Sequence, residues 1–366
     1  MNINAAVLRA QGSPLTVERV QLDDPGDGEV LVEVKAAGVC HSDLHVARGD
    51  WPTPTPLVLG HEGAGVVRAI GPGVTRVAAG DAVVLCWAPA CGECPSCLAG
   101  AAVLCDRLET TTYRHQLPSG GTRLHCGGEP VAAFLGTACF AEYVVVAEAG
   151  AVRVPPQVPF EVLATLGCAV VTGVGAVLNA ARVPAGARVA VIGAGGIGLN
   201  VIQGAVLAGC QQIIAIDRRA TPLAAARTFG ASDVVEAPVR VREAVFGLTG
   251  GRGADYVFDT VGTPATVADA VASARKGGTI VVTGLARTDG VAPIRMFPFV
   301  MQEKRLIGSV YGSGDPTKDI VRLVALYQEG RLKLRELVSR TYSLGEINEA
   351  FAALERADGA RGVICW

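Results

Sequence analysis

The sequence predicts an α/β chain of two domains, one β-rich and one built on a doubly wound parallel sheet. Three observations predict it. The length of 366 residues exceeds what one core comfortably fills. Short β-rich runs separated by turn signals occupy the chain up to about Gly167. Beyond that point strand and helix patterns alternate, the pattern of a parallel sheet covered on both faces.

In the first part, from Gly28 to Cys139, the runs EVLVEVKAAGV, GAGVVRAI and DAVVLCW read as strands, with turns at Gly71 to Gly73 and at Gly80-Asp81. In the second, RVAVIG, IIAID, DVV, DYVFDT and TIVVTG read as strands. Helices fall between them from about Gly196, through Leu223 to Phe229, and near Thr266 to Arg275. From about Tyr311 two more helical runs follow, DIVRLVALYQEG and EINEAFAALERA. No repeat and no low-complexity linker divides the chain.

Composition narrows the function. With 50% apolar residues, 18% charged residues and a net charge of -2, neither a nucleic-acid partner nor a disordered tail is expected. The start MNINAAVLRAQGSPLTVERV lacks the basic, apolar and small-residue order of a secretory signal, so a reducing cytoplasm is expected. The most apolar stretch, Val189 to Gly209, is broken by six glycines, Asn200 and Gln203, and reads as a buried strand, turn and helix rather than a membrane span.

Three constellations carry chemistry. Cys91, Cys94, Cys97 and Cys105 put four of the eleven cysteines into CGECPSCLAGAAVLC. In a reducing compartment such a cluster points to metal rather than disulfides, and four thiolates closing a tetrahedral site give a structural zinc (residues 91–105). The other readings are an iron–sulfur cluster, whose bacterial spacing has a shorter last gap and a following proline, and simple reactive thiols. VIGAGGIGLN places Gly193, Gly195 and Gly198, with Gly196 and Ile197 between them, after a strand and at the start of a helix. Asp217 ends the next strand nineteen residues on, where a carboxylate can accept from a ribose diol. It would repel a 2′-phosphate, so NAD is expected over NADP, a preference that Arg218 and Arg219 weaken. Finally, Cys40, His61 and Cys168 would supply two thiolates and an imidazole, leaving one open position on a catalytic zinc. Singly, Cys168 reads equally as core packing and His61 as a turn histidine; spacing alone does not join them.

Together these residues resemble the zinc-dependent medium-chain alcohol dehydrogenases. The matching motifs run in order through nearly the whole chain: GVCHSDLH, GHEGAGVV, the four-cysteine lobe, GTACFAEYVVV, LGCAVVTGVGAV, VIGAGGIG, Asp217 and INEAFAAL. The resemblance is to the liver-type and glutathione-dependent formaldehyde dehydrogenase-like branch and to bacterial aryl-alcohol members. It implies a GroES-like catalytic domain over residues 1–169 and 311–366, and a Rossmann NAD-binding domain over 170–310. It further implies a zinc on Cys40, His61 and Cys168, with Glu62 able to approach it and Asp43 orienting His61. A proton relay is implied at Ser42 and His45, cofactor contacts at Thr172, His41 and Arg361, and a substrate channel lined by Ser42, Trp51, Trp87, Phe134 and Leu285.

The expectation is therefore a zinc- and NAD-dependent enzyme with two zincs per chain. It would move hydride between NAD and a primary alcohol of aryl or longer aliphatic type, yielding an aldehyde or running in reverse. The long segment 106–133 is similar to that of dimeric relatives, so a homodimer is expected. Other readings are a tailoring oxidoreductase on a specialised substrate, a thiol-adduct formaldehyde dehydrogenase and a redox-sensing NAD-binding protein. A glutathione adduct is disfavoured because Glu109 stands where that branch carries an arginine for the peptide carboxylate.

Overall fold

In the run EVLVEVKA, Val30, Val32, Val34 and Ala36 are buried while Leu31, Glu33 and Lys35 are partly exposed, the period-two pattern of a strand with one face on a core. That strand, Glu29–Gly38, is the centre of a seven-stranded sheet. Its order is Ala151–Arg153, Ala82–Leu85, Glu62–Ile70, Glu29–Gly38, Arg361–Cys365, Val338–Tyr342, with Tyr143–Ala147 also pairing to Glu29–Gly38. A small closed barrel of Asn2–Leu8, Thr16–Leu22, Leu124–Cys126, Glu129–Ala133 and Leu57–Val58 shares its core. Register matters for the site. Gly38 pairs with Glu62 on one side and Val363 on the other, which brings Cys40, the 61–62 segment and the C-terminal strand together.

The computed structural model describes residues 1–237 and 240–366. They form two units: Met1–Cys168 with Asp315–Gly330 and Leu334–Trp366, and Ala169–Gly314 with Arg331–Lys333.

In the first unit a buried carboxylate anchors the long 106–133 segment. Glu29 is 1% exposed, and accepts two hydrogen bonds of 2.8 Å from the Arg123 guanidinium, one of 2.8 Å from the Gly26 N–H, and the Ser119 hydroxyl. Burial alone would raise its pKa, but Arg123, Ser119 and Gly26 outweigh it and hold the carboxyl below its usual range. Removing Arg123 strands that charge, so Arg123→Met is expected to cost about 3 kcal/mol in urea unfolding at neutral pH. Because the folded pKa is depressed, the native contribution is complete above about pH 4.3 and fades as pH falls through the folded value. The variant should lose that acid-side dependence; equal stability, or an unchanged acid limb, would remove Glu29 as the anchor.

The second unit holds six parallel strands in the order Asp233–Glu236, Gln212–Asp217, Arg188–Ile192, Ala254–Asp259, Ala274–Val282, Arg305–Gly308. In sequence rank this is three, two, one, four, five, six, the doubly wound order whose switch point lies beside the first strand. Five strands match the sequence reading; the sixth, Arg305–Gly308, was not expected, because it is a largely exposed edge without apolar alternation. The helix Val241–Leu248 is likewise an addition to the expected elements. The polar residues interrupting the apolar stretch are buried and satisfied: Gln203 donates to Asn200 at 3.0 Å and accepts from the Lys333 N–H at 2.6 Å.

A helix over Phe160–Ala180 is long and apolar enough to cross a membrane, yet 89% of its most apolar window is buried within the chain, as in a core helix. It widens to a π-helical turn at Leu166–Val170, which carries Cys168. Such turns recur at functional sites.

Candidate active site

The helix His41–Arg48 organises the site. Cys40 is its N-cap, and Asp43, three residues on, accepts the Cys40 N–H at 3.2 Å in a capping box. Asp43 is fully buried, and its other oxygen accepts the Gly60 N–H at 2.9 Å and pairs with His61 Nδ1 at 3.1 Å. One carboxylate thus holds the backbones on both sides of the site and commits His61 Nδ1, leaving Nε2 to bind elsewhere.

Ligand atoms of Cys40, His61, Glu62 and Cys168 all lie within 4.8 Å of one another, and all four residues are buried. Gly38 permits this approach, since a Cβ there would fall 2.2 Å from a Glu62 oxygen. Among the described residues neither Glu62 oxygen receives a hydrogen bond; Oε1 lies 3.4 Å from Arg361 Nη2. Burial pushes the Glu62 carboxyl up to about 8, against the pull of Arg361. The Cys40 thiol is drawn well down by its hydrogen bond to Cys168, helped by Arg361 and His61. Burial opposes charge on His61, but Asp43 and Cys40 outweigh it and raise its pKa. Two thiols, an imidazole and a carboxyl with too few partners are what a divalent cation satisfies, so the residues fit zinc.

Cys91, Cys94, Cys97 and Cys105 form the second such group, also within 4.8 Å. The Cys91–Cys97 and Cys94–Cys105 sulfurs are 3.9 Å apart, near the roughly 3.8 Å that a tetrahedron with sulfur about 2.3 Å from zinc requires, and no disulfide forms. Backbone N–H groups of Cys91, Cys94, Cys97 and Asp106 each point at a sulfur at 3.4 Å, an arrangement suited to thiolates. The Glu93 N–H, foremost, pushes Cys91 down to about 6, whereas burial, foremost, raises Cys97 to about 12 and also raises Cys105.

The remaining predicted residues divide between the units. In the first, Ser42 lies 3.9 Å from the Cys40 sulfur, and Phe134 sets its edge against His61, with ring centroids 5.5 Å apart. Trp87 is buried just beyond the strand Ala82–Leu85, and His41 is exposed. Arg361 turns inward: it is 4% exposed and donates to the Val39 carbonyl at 2.8 Å. His45 pairs through Nδ1 with Asp50 at 2.9 Å, and Trp51, expected in the channel wall, stacks on its ring at 5.1 Å. Asp50 is a partner the sequence reading missed; its signal was the Gly-Asp that closes the helix.

In the second unit Gly195 is the N-cap of Gly196–Leu207 and a Cβ on it would meet nothing within 4 Å, whereas one on Gly198 would strike the Gly193 carbonyl at 1.8 Å. Gly198 therefore serves close packing, and Gly195 fronts the open space a pyrophosphate needs. Asp217 stands beside this turn, accepting the Ala194 N–H at 2.8 Å and the Arg219 N–H at 3.1 Å; Arg218 and Arg219 are exposed. The turn and carboxylate fit a dinucleotide. Asp217→Gly is expected to weaken NAD about tenfold relative to NADP, the worth of a charge-assisted hydrogen bond. Titration by NAD(P)H fluorescence checks it, and an unmoved ratio would assign ribose recognition elsewhere. Thr172 is buried and Leu285 is 57% exposed.

Residues 26–156 match the alcohol dehydrogenase GroES-like domain and residues 196–329 the zinc-binding dehydrogenase family. The chain is 41% identical over 374 residues to an NDMA-dependent alcohol dehydrogenase of Amycolatopsis methanolica, covering 100% of this chain and 99% of the relative. It is 36% identical over 379 residues to an S-(hydroxymethyl)glutathione dehydrogenase of Paracoccus denitrificans, covering 100% of each. The crystal structure of benzyl alcohol dehydrogenase from Acinetobacter calcoaceticus superposes with a TM-score of 0.94 at 33% identity, covering 100% of this chain and 99% of that one.

Proposed function

The chain belongs to the zinc-binding alcohol dehydrogenase family, and from that premise we propose that it transfers hydride between NAD and a primary alcohol carrying an aryl or longer aliphatic group. The observation that carries this reading is the buried convergence of Cys40, His61 and Cys168 under Asp43, with Phe134 against His61. Cys40, His61 and Cys168 hold the catalytic zinc, and Cys91, Cys94, Cys97 and Cys105 the structural one. When bound, zinc supplies a Lewis acid that makes an alcohol acidic near neutral pH, and NAD supplies the hydride acceptor.

The chain's residues supply the rest. Asp43 keeps His61 in the tautomer whose Nε2 is a ligand, and burial of the set excludes competing water. Ser42, beside Cys40, begins the path by which the alcohol's proton leaves. His45, its side chain 25% exposed, receives that proton and passes it to solvent. Similarity to benzyl alcohol dehydrogenase supports an aryl substrate. The S-(hydroxymethyl)glutathione dehydrogenase likeness raises the thiol-adduct reading, but Glu109, exposed after the last lobe cysteine, would repel that peptide's carboxylate. Rates on benzyl alcohol, octanol, ethanol and S-(hydroxymethyl)glutathione test the order; a preference for ethanol or for the adduct would overturn it.

We further place the protein in the cytoplasm as a homodimer. All eleven cysteines are free thiols, as metal-holding clusters in a reducing compartment require. Met296, Phe297, Val300 and Met301 are 62–78% exposed on one short helix, near the open edge strand Arg305–Gly308 in sequence, and such apolar area suits a partner copy. A solution mass of one 37.5 kDa chain would remove the dimer, and export into the periplasm on native expression would remove the cytoplasm.

A further inference from the structure

We propose that Asp50 is a positioning residue for the proton relay, fixing the His45 imidazole by its Nδ1 while Trp51 fixes the ring's face. The inference rests on the reading of His45 as the group that takes the alcohol's proton.

The geometry begins in the sequence HVARGDW. Gly49 takes the left-handed conformation, φ 83°, and ends the helix His41–Arg48. Its N–H bonds the Val46 carbonyl at 3.1 Å and the Asp50 N–H bonds the His45 carbonyl at 2.9 Å, the paired bonds of a Schellman turn. That turn folds Asp50 back onto the residue five positions earlier, so its carboxylate meets His45 Nδ1 at 2.9 Å. Trp51 follows and lies 23° from parallel over the imidazole, 5.1 Å between centroids. Gln11 secures the turn, donating to the carbonyls of Val46 at 2.7 Å and Trp51 at 2.8 Å.

A carboxylate can only accept, so His45 donates from Nδ1 and keeps Nε2 as its acceptor. A relay base needs that state: the proton leaving the alcohol forms a new N–H at Nε2 and departs from there to water. Without Asp50 the ring is free to rotate and to place its proton on Nε2, where it blocks the transfer. The same helix thus carries two carboxylate–imidazole pairings of like design, Asp43 with His61 and Asp50 with His45.

The test is a double-mutant cycle on the zinc-loaded enzyme with benzyl alcohol. Asp50→Asn, which keeps size but can present a donor to Nδ1, should lower kcat about 10- to 100-fold with little change in KM, zinc content or NAD affinity. In a His45→Gln background the same change should cost less than about 2-fold, since the two residues act as one unit. Asp50→Glu should recover most of the rate, and serves if the asparagine variant folds poorly. Equal losses in both backgrounds, or a loss confined to KM, would mean that Asp50 acts otherwise and would overturn the proposal. If His45→Gln is itself harmless while Asp50→Asn is not, the relay assignment of His45 fails and the proposal with it. If both are harmless, Asp50 has no part in the reaction.

Discussion

Cys168→Ser is expected to abolish alcohol oxidation while leaving one zinc per chain. The thiol sits in a π-helical turn, 7% exposed, with its sulfur among the ligand atoms of Cys40, His61 and Glu62. A serine hydroxyl is a poor replacement for a thiolate, and the three-ligand set becomes two. Lewis-acid stabilisation of the developing alkoxide is worth several kcal/mol, so the rate should fall by at least about 10³-fold. The thiol-rich lobe lies elsewhere in the sequence and should keep its metal. Zinc by plasma emission with NADH formation on the same preparation checks both halves. Two zincs with normal turnover would show that Cys168 is merely a core residue.

Cys91→Ser is the second large effect, and it falls on stability. The segment 91–105 has little core of its own: among its residues only Val103 and Cys105 are buried, and its helices are one turn or less. Four sulfurs, of which Cys91, Cys94 and Cys105 accept backbone N–H groups, hold it in place of apolar packing. Structural zinc contributes folding energy outright, so loss of one ligand should release the lobe. Proteolysis should then cut within 91–109, with one zinc lost and the thermal midpoint lowered by several degrees. The folded remainder should still bind NAD, since the glycine turn and Asp217 belong to the other unit. Retained metal and an uncut lobe would contradict a closed thiolate site.

The contrast between these two sites explains what the sequence made legible. The lobe's ligands are local, so spacing alone pointed to metal. Cys40, His61 and Cys168 are scattered, and only the family likeness joined them; physically they meet because Gly38 pairs with Glu62 while the widened helix turn delivers Cys168. The helix that bears Cys168 has no clear signal in the sequence, since VVTGVG combines β-branched residues and glycine that disfavour helix, and burial overrides that preference. The edge strand Arg305–Gly308 lacked a pattern because neither face is buried. Asp50 carries no signal in the sequence beyond a Gly-Asp turn; it reaches His45 because the left-handed Gly49 folds it back. The candidate dinucleotide turn is legible because strand, glycine turn and carboxylate lie within 30 residues of sequence, and the structure keeps the turn and the carboxylate adjacent.

The most direct test of the central claim is zinc content measured together with NADH production on benzyl alcohol, before and after removal of the accessible metal with a chelator. Two zincs per chain with turnover are expected, and turnover should fall in step with loss of the zinc held by Cys40, His61 and Cys168, whichever zinc leaves first. Turnover that persists in metal-free protein, or a chain that carries only the lobe zinc and is fully active, would contradict it.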